Sequence, residues 1–425
     1  MNAADTHRAI LGVWRVEQPR LITRLARMLR DVPLAEDLTQ DALLAALESW
    51  PRSGIPERPG AWLMATAKSK AMDHLRRRRM LERKHLLLAE VSEASPSFDS
   101  EDTGDDEFGD ELLRLIFTSC HPMLSPEARA ALTLRMICGL TTEEIARAYL
   151  IAEATIAQRI VRAKRSLSES GLVYETPSRG QLSARLASVL EVIYLIFNEG
   201  YTAARGEDWI RPALCDQALR LGRVLIGVAP QEPEAYGLLA LMEMNAARTP
   251  ARVSPTGEPI LMAEQDRSLW DALQIRRGVH ALRQAETLQG AKGFYALQAA
   301  IVACHSLAPT PEDTDWRRIA SLYGDLSALF PSPIVELNRA VAVGMVDGPE
   351  RGLLLLEGLR DAPQLAGYHL LPSVRGDFLQ KLGRHAEARA EFEIAAALAG
   401  NRRERDLLNR RAREATAVLP TSQAS

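Results

Sequence analysis

The stretch "TTEEIARAYLIAEATIAQRIVRAKRSL", Thr141 to Leu167, gathers four cations within seven residues: Arg159, Arg162, Lys164 and Arg165. Guanidinium and ammonium groups at that density make and break no bonds by themselves. They bind negative charge, and a row of phosphates is the target that suits a row of cations on one helix. A second cluster, Arg76 to Arg79, closes another helical pattern. Four consecutive arginines there exceed what a helix C-terminus needs for its dipole. The carboxylates Glu36, Asp37 and Asp41 have the opposite sense and read as an exposed acidic edge on an amphipathic helix. A nucleophile elbow, a phosphate-cradling glycine loop and a metal-ligand cluster are all missing from the sequence. The chain is therefore not read as an enzyme, and no cofactor or metal is expected.

The elements that carry these residues read as helices almost throughout, so the expected fold class is all-α. Leu21, Leu25, Met28 and Leu29 form one apolar stripe. After Pro33 a second forms from Leu38, Ala42, Ala45 and Leu47, and a third helix, from about Ala61 to Leu81, groups Trp62, Ala65, Ser69 and Met72 on one side. In "TTEEIARAYL" Ile145, Ala146 and Tyr149 face inward, a short break falls at Leu150 to Ala152, and the next helix begins near Glu153 or Ala154. That is helix-turn-helix spacing, in which the second helix enters the major groove. Thr155, Gln158 and Arg159 occupy its early turns and are the candidate base readers. Arg162, Lys164 and Arg165 are placed for the phosphate backbone.

Net charge is −3 over 425 residues, and the charge is unevenly distributed. Residues 1–90 carry 16 Lys and Arg against 11 Asp and Glu, residues 91–113 carry nine acids and no base, and residues 114–170 carry eight bases against five acids. Two basic modules on an acidic tether follow from that pattern. The tether, rich in Ser, Pro and Gly, is expected to be extended. Its acids either form a plain solvated loop or shield the basic blocks by mimicking phosphates. Apolar residues make up 47% of the chain, enough to fill two or three cores. The apolar runs, Val189 to Phe197 among the best, are too short to cross a bilayer, and the N-terminus lacks a signal-peptide layout, so a cytoplasmic location without membrane is expected. Cys120, Cys138, Cys215 and Cys304 are scattered and read as buried small hydrophobes. His121 reads as a packed or capping residue.

Three blocks in order, "AEDLTQDALLAAL" from Ala35, "AWLMATAKSKAMDHLRRRR" from Ala61, and the stretch ending "AQRIVRAKRSL", resemble the two conserved regions of sigma-70-type factors of the extracytoplasmic-function (ECF) group. The resemblance covers about residues 10–170. It implies a chain that binds bacterial core RNA polymerase and directs it to promoters, the first module opening the −10 element and the second reading the −35 element. Glu36, Asp37, Leu38, Gln40 and Asp41, with Thr39, then fall where the family contacts polymerase. Trp62, Lys68, Lys70, Asp73, Arg76, Arg77, Arg78 and Arg79 fall on the −10-facing helix, and two readings stand for Trp62, core packing or a surface for unstacked bases. The chain departs from the family pattern at the helix-turn-helix turn, with Leu150 where glycine is usual and Ala152 where a capping serine is common. A helix-turn-helix regulator that acts without being a polymerase subunit is the alternative reading.

The remaining length, 180–425, reads as a helical extension. "GDFLQKLGRHAEARAEFEIAAALAG" places Gly376, Leu379, Gly383, Ala388, Phe392 and Ala395 at tetratricopeptide spacing, and a shift of 36 residues lands on Ala340, Val343, Asp347, Gly352, Leu356 and Leu359. The expected organisation is residues 1–90 as the first module, 91–113 as linker, 114–172 as the second module and 180–425 as a tetratricopeptide-like regulatory extension. Stacked helix pairs offer concave surfaces, so a regulatory protein or ligand is the expected partner there. "FNEGY" (Phe197 to Tyr201) and "DTDW" (Asp313 to Trp316) are read either as groove-lining residues or as caps.

Overall fold

The computed structural model describes residues 3–86, 105–149, 151–170, 179–202 and 210–417. Among them the chain is helical, with no strand and an isolated bridge between Val253 and Pro259. It forms two compact units, Met1–Val192 and Ile193–Ser425.

The first unit begins with α1 (Ala3–Leu29), α2 (Val32–Ser53) and α3 (Pro59–Leu86). Asp31 starts α2 by accepting from the Leu34 amide at 2.9 Å, and Pro33 occupies the first turn, where a missing N–H costs nothing. Trp14, Leu21 and Leu25 of α1 and Leu38, Ala42 and Trp50 of α2 are buried. On α3 the packed stripe is Leu63, Ala67 and Ala71. The packed face lies one to two residues beyond the one expected from the sequence: Ala65 and Ser69 are exposed, and Trp62 and Met72 half-buried. Two alanines at i+4 spacing allow close helix approach, and a stripe that poor in large side chains gives a weak periodic signal in the sequence.

The second half of this unit holds α4 (Asp105–Ser119), α5 (Pro126–Met136), α6 (Thr142–Tyr149) and α7 (Glu153–Glu169). Residues 91–104 of the acidic stretch lie outside the described residues. From Asp105 it is helical rather than extended, because clustered carboxylates favour a helix N-terminus. Thr141 and Glu144 form a capping box that starts α6: the Glu144 amide donates to Thr141 Oγ1 at 3.1 Å, and the Thr141 amide donates to Glu144 Oε2 at 2.8 Å. Helix α8 (Arg179–Tyr201) contains the division between the units. Its first part is fastened to α4 and α5, with Arg185 Nη2 donating to the Phe117 carbonyl at 2.6 Å and Ser188 Oγ donating to the Cys120 carbonyl at 2.5 Å. The guanidinium of Arg129 stands 3.0 Å from Glu191.

The second unit stacks α9 (Pro212–Val228), α10 (Pro233–Ala246), α11 (Ala272–Thr287), α12 (Phe294–Ser306), α13 (Trp316–Leu329), α14 (Pro333–Asp347), α15 (Pro349–Glu357), α16 (Leu370–Lys381), α17 (His385–Leu398) and α18 (Arg402–Ala417). Its apolar clusters follow one another along the stack, one joining α12, α13 and α14, the next α14, α15 and α16, the next α16, α17 and α18. This nearest-neighbour burial is the arrangement of helical repeats. The 36-residue repeat places its buried positions well: Ala340, Gly352 and Leu356 in one pair, Leu379, Ala388, Phe392 and Ala395 in the next. The hairpin turns fall at Gly348 (φ 100) and Gly383 (φ 72), a left-handed backbone that glycine adopts without steric cost.

Candidate nucleic-acid interface

Helix α7 buries Ile156, Ile160, Ala163 and Leu167, the i, i+4, i+7, i+11 stripe that seats it on α5 and α6. The opposite face is set by that stripe. Thr155, Gln158, Arg162 and Arg165 are exposed there, and Arg159 is half-exposed. Arg165 stands 2.6 Å from Glu169, one turn along the same helix, in a solvent-exposed pair that leaves it open to other anions. The Glu127 carboxyl is held below its ordinary value first by the backbone N–H at its own helix start and by the Ser125 hydroxyl, and then by Arg159. As expected, Ala152 is the cap of α7 and supplies no side-chain bond, while Leu150 lies outside the described residues. Val161, 63% exposed on this face one turn beyond Gln158, is a residue the sequence reading passed over. An apolar side chain among cations carries no charge signal.

Lys164 departs from its expected place. Instead of standing on the exposed edge, it reaches the first module, hydrogen-bonded to Glu36 and at 2.7 Å to Asp37 Oδ1, with 17% of its side chain exposed. Burial pulls its ammonium pKa down, and the Glu36 and Asp37 carboxylates outweigh that, so the net shift is upward. Arg135 of α5 closes the other side, with Nε 3.2 Å from Glu36 Oε1, while Gln18 of α1 donates to the Arg135 carbonyl at 3.0 Å. The position of Glu36 also corrects the sequence reading, since it is 1% exposed and lies at the centre of a three-charge cluster rather than on an acidic edge. Leu38 is buried as well, part of the apolar stripe of α2. Asp37 is exposed, and Gln40 and Asp41 are half-buried.

On α3, Lys68, Asp73, Arg76 and Arg77 are exposed, Lys70 is half-buried 3.7 Å from Asp41, and Asp73 stands 3.8 Å from Arg76. The side chains of Arg78 and Arg79 lie outside the described residues. Trp62 packs edge-on against buried Trp50 with ring centroids 5.4 Å apart, and its half-buried ring joins both readings given above.

A model of sigma-70 region 2 matches residues 13–80, and a model of sigma-70 region 4 matches residues 114–167. The ECF RNA polymerase sigma factor SigL of Mycobacterium tuberculosis is 30% identical over 168 residues, 39% of this chain and 91% of the relative. The chain belongs to the ECF group of the sigma-70 family. The "Probable ECF RNA polymerase sigma factor SigI" of the same organism is 24% identical over 296 residues, 66% of this chain and 96% of the relative. An uncharacterized protein of Rhizobium meliloti (strain 1021) is 40% identical over 386 residues, 90% of each chain, so the similarity runs on into the extension of this sigma factor. A family of unknown function, DUF6596, matches residues 185–286.

The other singled-out residues have the following surroundings. His121 Nδ1 accepts the Met123 amide at 3.1 Å, a turn cap, and its pKa is lowered to about 4 by burial and by Arg185. Cys120, Cys138 and Cys215 are buried. Burial raises the Cys215 thiol to about 12. In "DTDW", Asp315 caps α13 by accepting the Arg318 amide at 2.9 Å and Asp313 accepts from the Thr310 hydroxyl at 2.9 Å. In "FNEGY", Phe197 and Tyr201 stack at 5.5 Å. Among the described residues no helix is long and apolar enough to cross a membrane.

Proposed function

We propose that this sigma factor binds core RNA polymerase through the rim of α2 and places α7 in the major groove of the −35 element. Thr155, Gln158 and Arg159 read base edges there, Arg162 and Arg165 hold phosphates, and Val161 offers apolar contact to a thymine methyl. Lys68, Arg76 and Arg77 on the exposed face of α3 grip the −10 strands, and the half-buried Trp62 offers ring surface to unstacked bases. Asp37 and Asp41 are the polymerase-facing carboxylates. The observation that carries this reading is the sidedness of α7, whose apolar stripe is spent inward while Gln158 and Arg162 stand exposed on a helix-turn-helix. Co-elution with core polymerase tests the first step. The chain is expected to co-elute, and Asp37→Lys is expected to weaken that association at least tenfold.

The Glu36 cluster favours a second element of the reading. Lys164 belongs to the promoter-reading helix and Glu36 and Asp37 to the polymerase-facing helix, so each surface loses a charge to the other. We infer that the free chain holds its two modules closed and that engagement with polymerase exchanges the Lys164 contact for promoter contacts. The extension is read as regulatory. Truncation after Val192 removes it while keeping the Arg185 and Ser188 bonds to the first unit, and changed promoter-directed transcription is the expected outcome.

A further inference from the structure

The second unit has a half-open cavity of about 310 Å³ where the end of α8, the loop after α10 and helices α16 and α18 converge. Arg248 lines it and is 5% exposed. Its Nη2 donates to the Tyr201 hydroxyl and, at 2.9 Å, to Asn245 Oδ1, and its Nε has no hydrogen-bond partner. The rings of Tyr201 and Trp270 stand 5.9 Å from its guanidinium carbon. All of these neighbours are neutral. A guanidinium withdrawn from water is costly unless a negative charge meets it.

The other ionisable groups of the lining have close neighbours. His369 lies 2.9 Å from Glu404, and Arg411 is paired with Asp377. Arg252, also 5% exposed, stacks 3.5 Å above the Tyr201 ring and donates to the Tyr201 carbonyl and to Thr202 Oγ1. Burial first, and the proximity of Arg248, lower its pKa. Gln265 adds a second polar signal: it is 8% exposed, its Nε2 donates to the Ile260 carbonyl at 3.1 Å, and its Oε1 has no partner. Ile260, Leu261, Met262 and Leu370 make the rest of the wall apolar.

We propose that this cavity binds a small organic acid, its anionic group against Arg248, a hydroxyl or ammonium donating to Gln265 Oε1, and a short aliphatic body against Ile260, Leu261 and Leu370. The site deepens the regulatory reading of the extension, but occupancy of the cavity does not depend on that reading. Bound there, the acid bridges α8, α16 and α18 within one unit, and what it stabilises is the packing of the unit that a truncation would remove.

Isothermal titration of the full chain with 2-hydroxyisocaproate, its neutral amide, 4-methylpentanoate and inorganic phosphate tests the assignment. The hydroxy acid is expected to bind with a Kd below ~1 mM, and the amide at least ~10-fold more weakly. Loss of the hydroxyl in 4-methylpentanoate is expected to weaken binding by about 10-fold, and Gln265→Leu to erase that difference. Arg248→Met should abolish binding. Met262→Trp, placed at a partly exposed wall position, should block the cavity without touching the interior charge, with an unchanged circular dichroism spectrum as the fold control. No binding by the hydroxy acid, equal binding of the amide, phosphate binding as tight as the hydroxy acid, or binding retained in Met262→Trp would overturn the assignment. Run-off transcription with and without the acid then separates the two readings: binding without any change in transcripts keeps the cavity and removes the regulatory role.

Discussion

Substituting Glu36 by glutamine keeps the side chain's shape and removes the charge that Arg135 and Lys164 share. At about 3 Å and an effective dielectric of about 20, each such pair has a gross attraction near 5 kcal/mol, most of it offset by the desolvation of the three ions. Removing one member of a buried pair costs about 3–5 kcal/mol. After Glu36→Gln, Lys164 still meets Asp37 at 2.7 Å and Arg135 still donates to the Leu140 carbonyl at 3.3 Å, so the expected loss lies at the lower end, about 3 kcal/mol. Lys164→Met leaves Glu36 with Arg135 and should cost about 2 kcal/mol. The two changes remove one shared interaction, so the double variant should cost about 1–2 kcal/mol less than the sum of the singles. Urea denaturation of the full chain, followed by hydrogen exchange of the α7 amides, measures the cycle. Additivity within about 0.5 kcal/mol would refute the closed arrangement, because groups in contact couple by more than that.

Thr141→Ala removes one half of the capping box at α6 and should destabilise the first unit by about 1 kcal/mol in the same denaturation assay. Phe392→Ala opens a cavity in a fully buried position and loses the guanidinium of Arg411, 4.4 Å from its ring; a cost of about 3–5 kcal/mol should appear as a lower melting temperature of the second unit. His305 gives a pH dependence. Burial and the cations Arg248 and Arg267 lower its pKa to about 4 from 6.5, so the fold accepts the neutral ring. The corresponding stability is complete above pH 6.5 and disappears as the pH falls toward 4, on the order of 3 kcal/mol. An NMR titration placing the His305 pKa at 6 or above would contradict it.

The helices themselves, the helix-turn-helix break at Ala152 and the outward set of α7 were legible because each rests on local periodicity. So was the 36-residue repeat, whose buried positions fall where small and apolar residues recur. The Glu36 cluster was not legible, since Lys164 and Arg135 lie 128 and 99 residues from Glu36, and no local pattern separates a solvated carboxylate from one met by distant cations. For the same reason Glu36 reads as part of one acidic edge with Asp37 and Asp41, although Glu36 is buried and Asp37 exposed, while Leu38 lies on the apolar stripe where the periodicity puts it. The packed face of α3 lies one to two residues from the expected one because Ala67 and Ala71 carry little hydrophobic signal beside Trp62 and Met72. The cavity at Arg248 is assembled from Tyr201, Gln265 and α18, segments that tertiary structure alone brings together; in the sequence "FNEGY" reads equally as groove lining or as a cap.

Run-off transcription with purified core polymerase bears most directly on the account. The full chain should confer promoter-specific initiation, and Gln158→Ala combined with Arg162→Ala should reduce it by at least ~10-fold while co-elution with the polymerase is unchanged, given that a good base contact contributes about 1–3 kcal/mol. Initiation unaffected by the two substitutions, or a chain that does not associate with the polymerase at all, would contradict it.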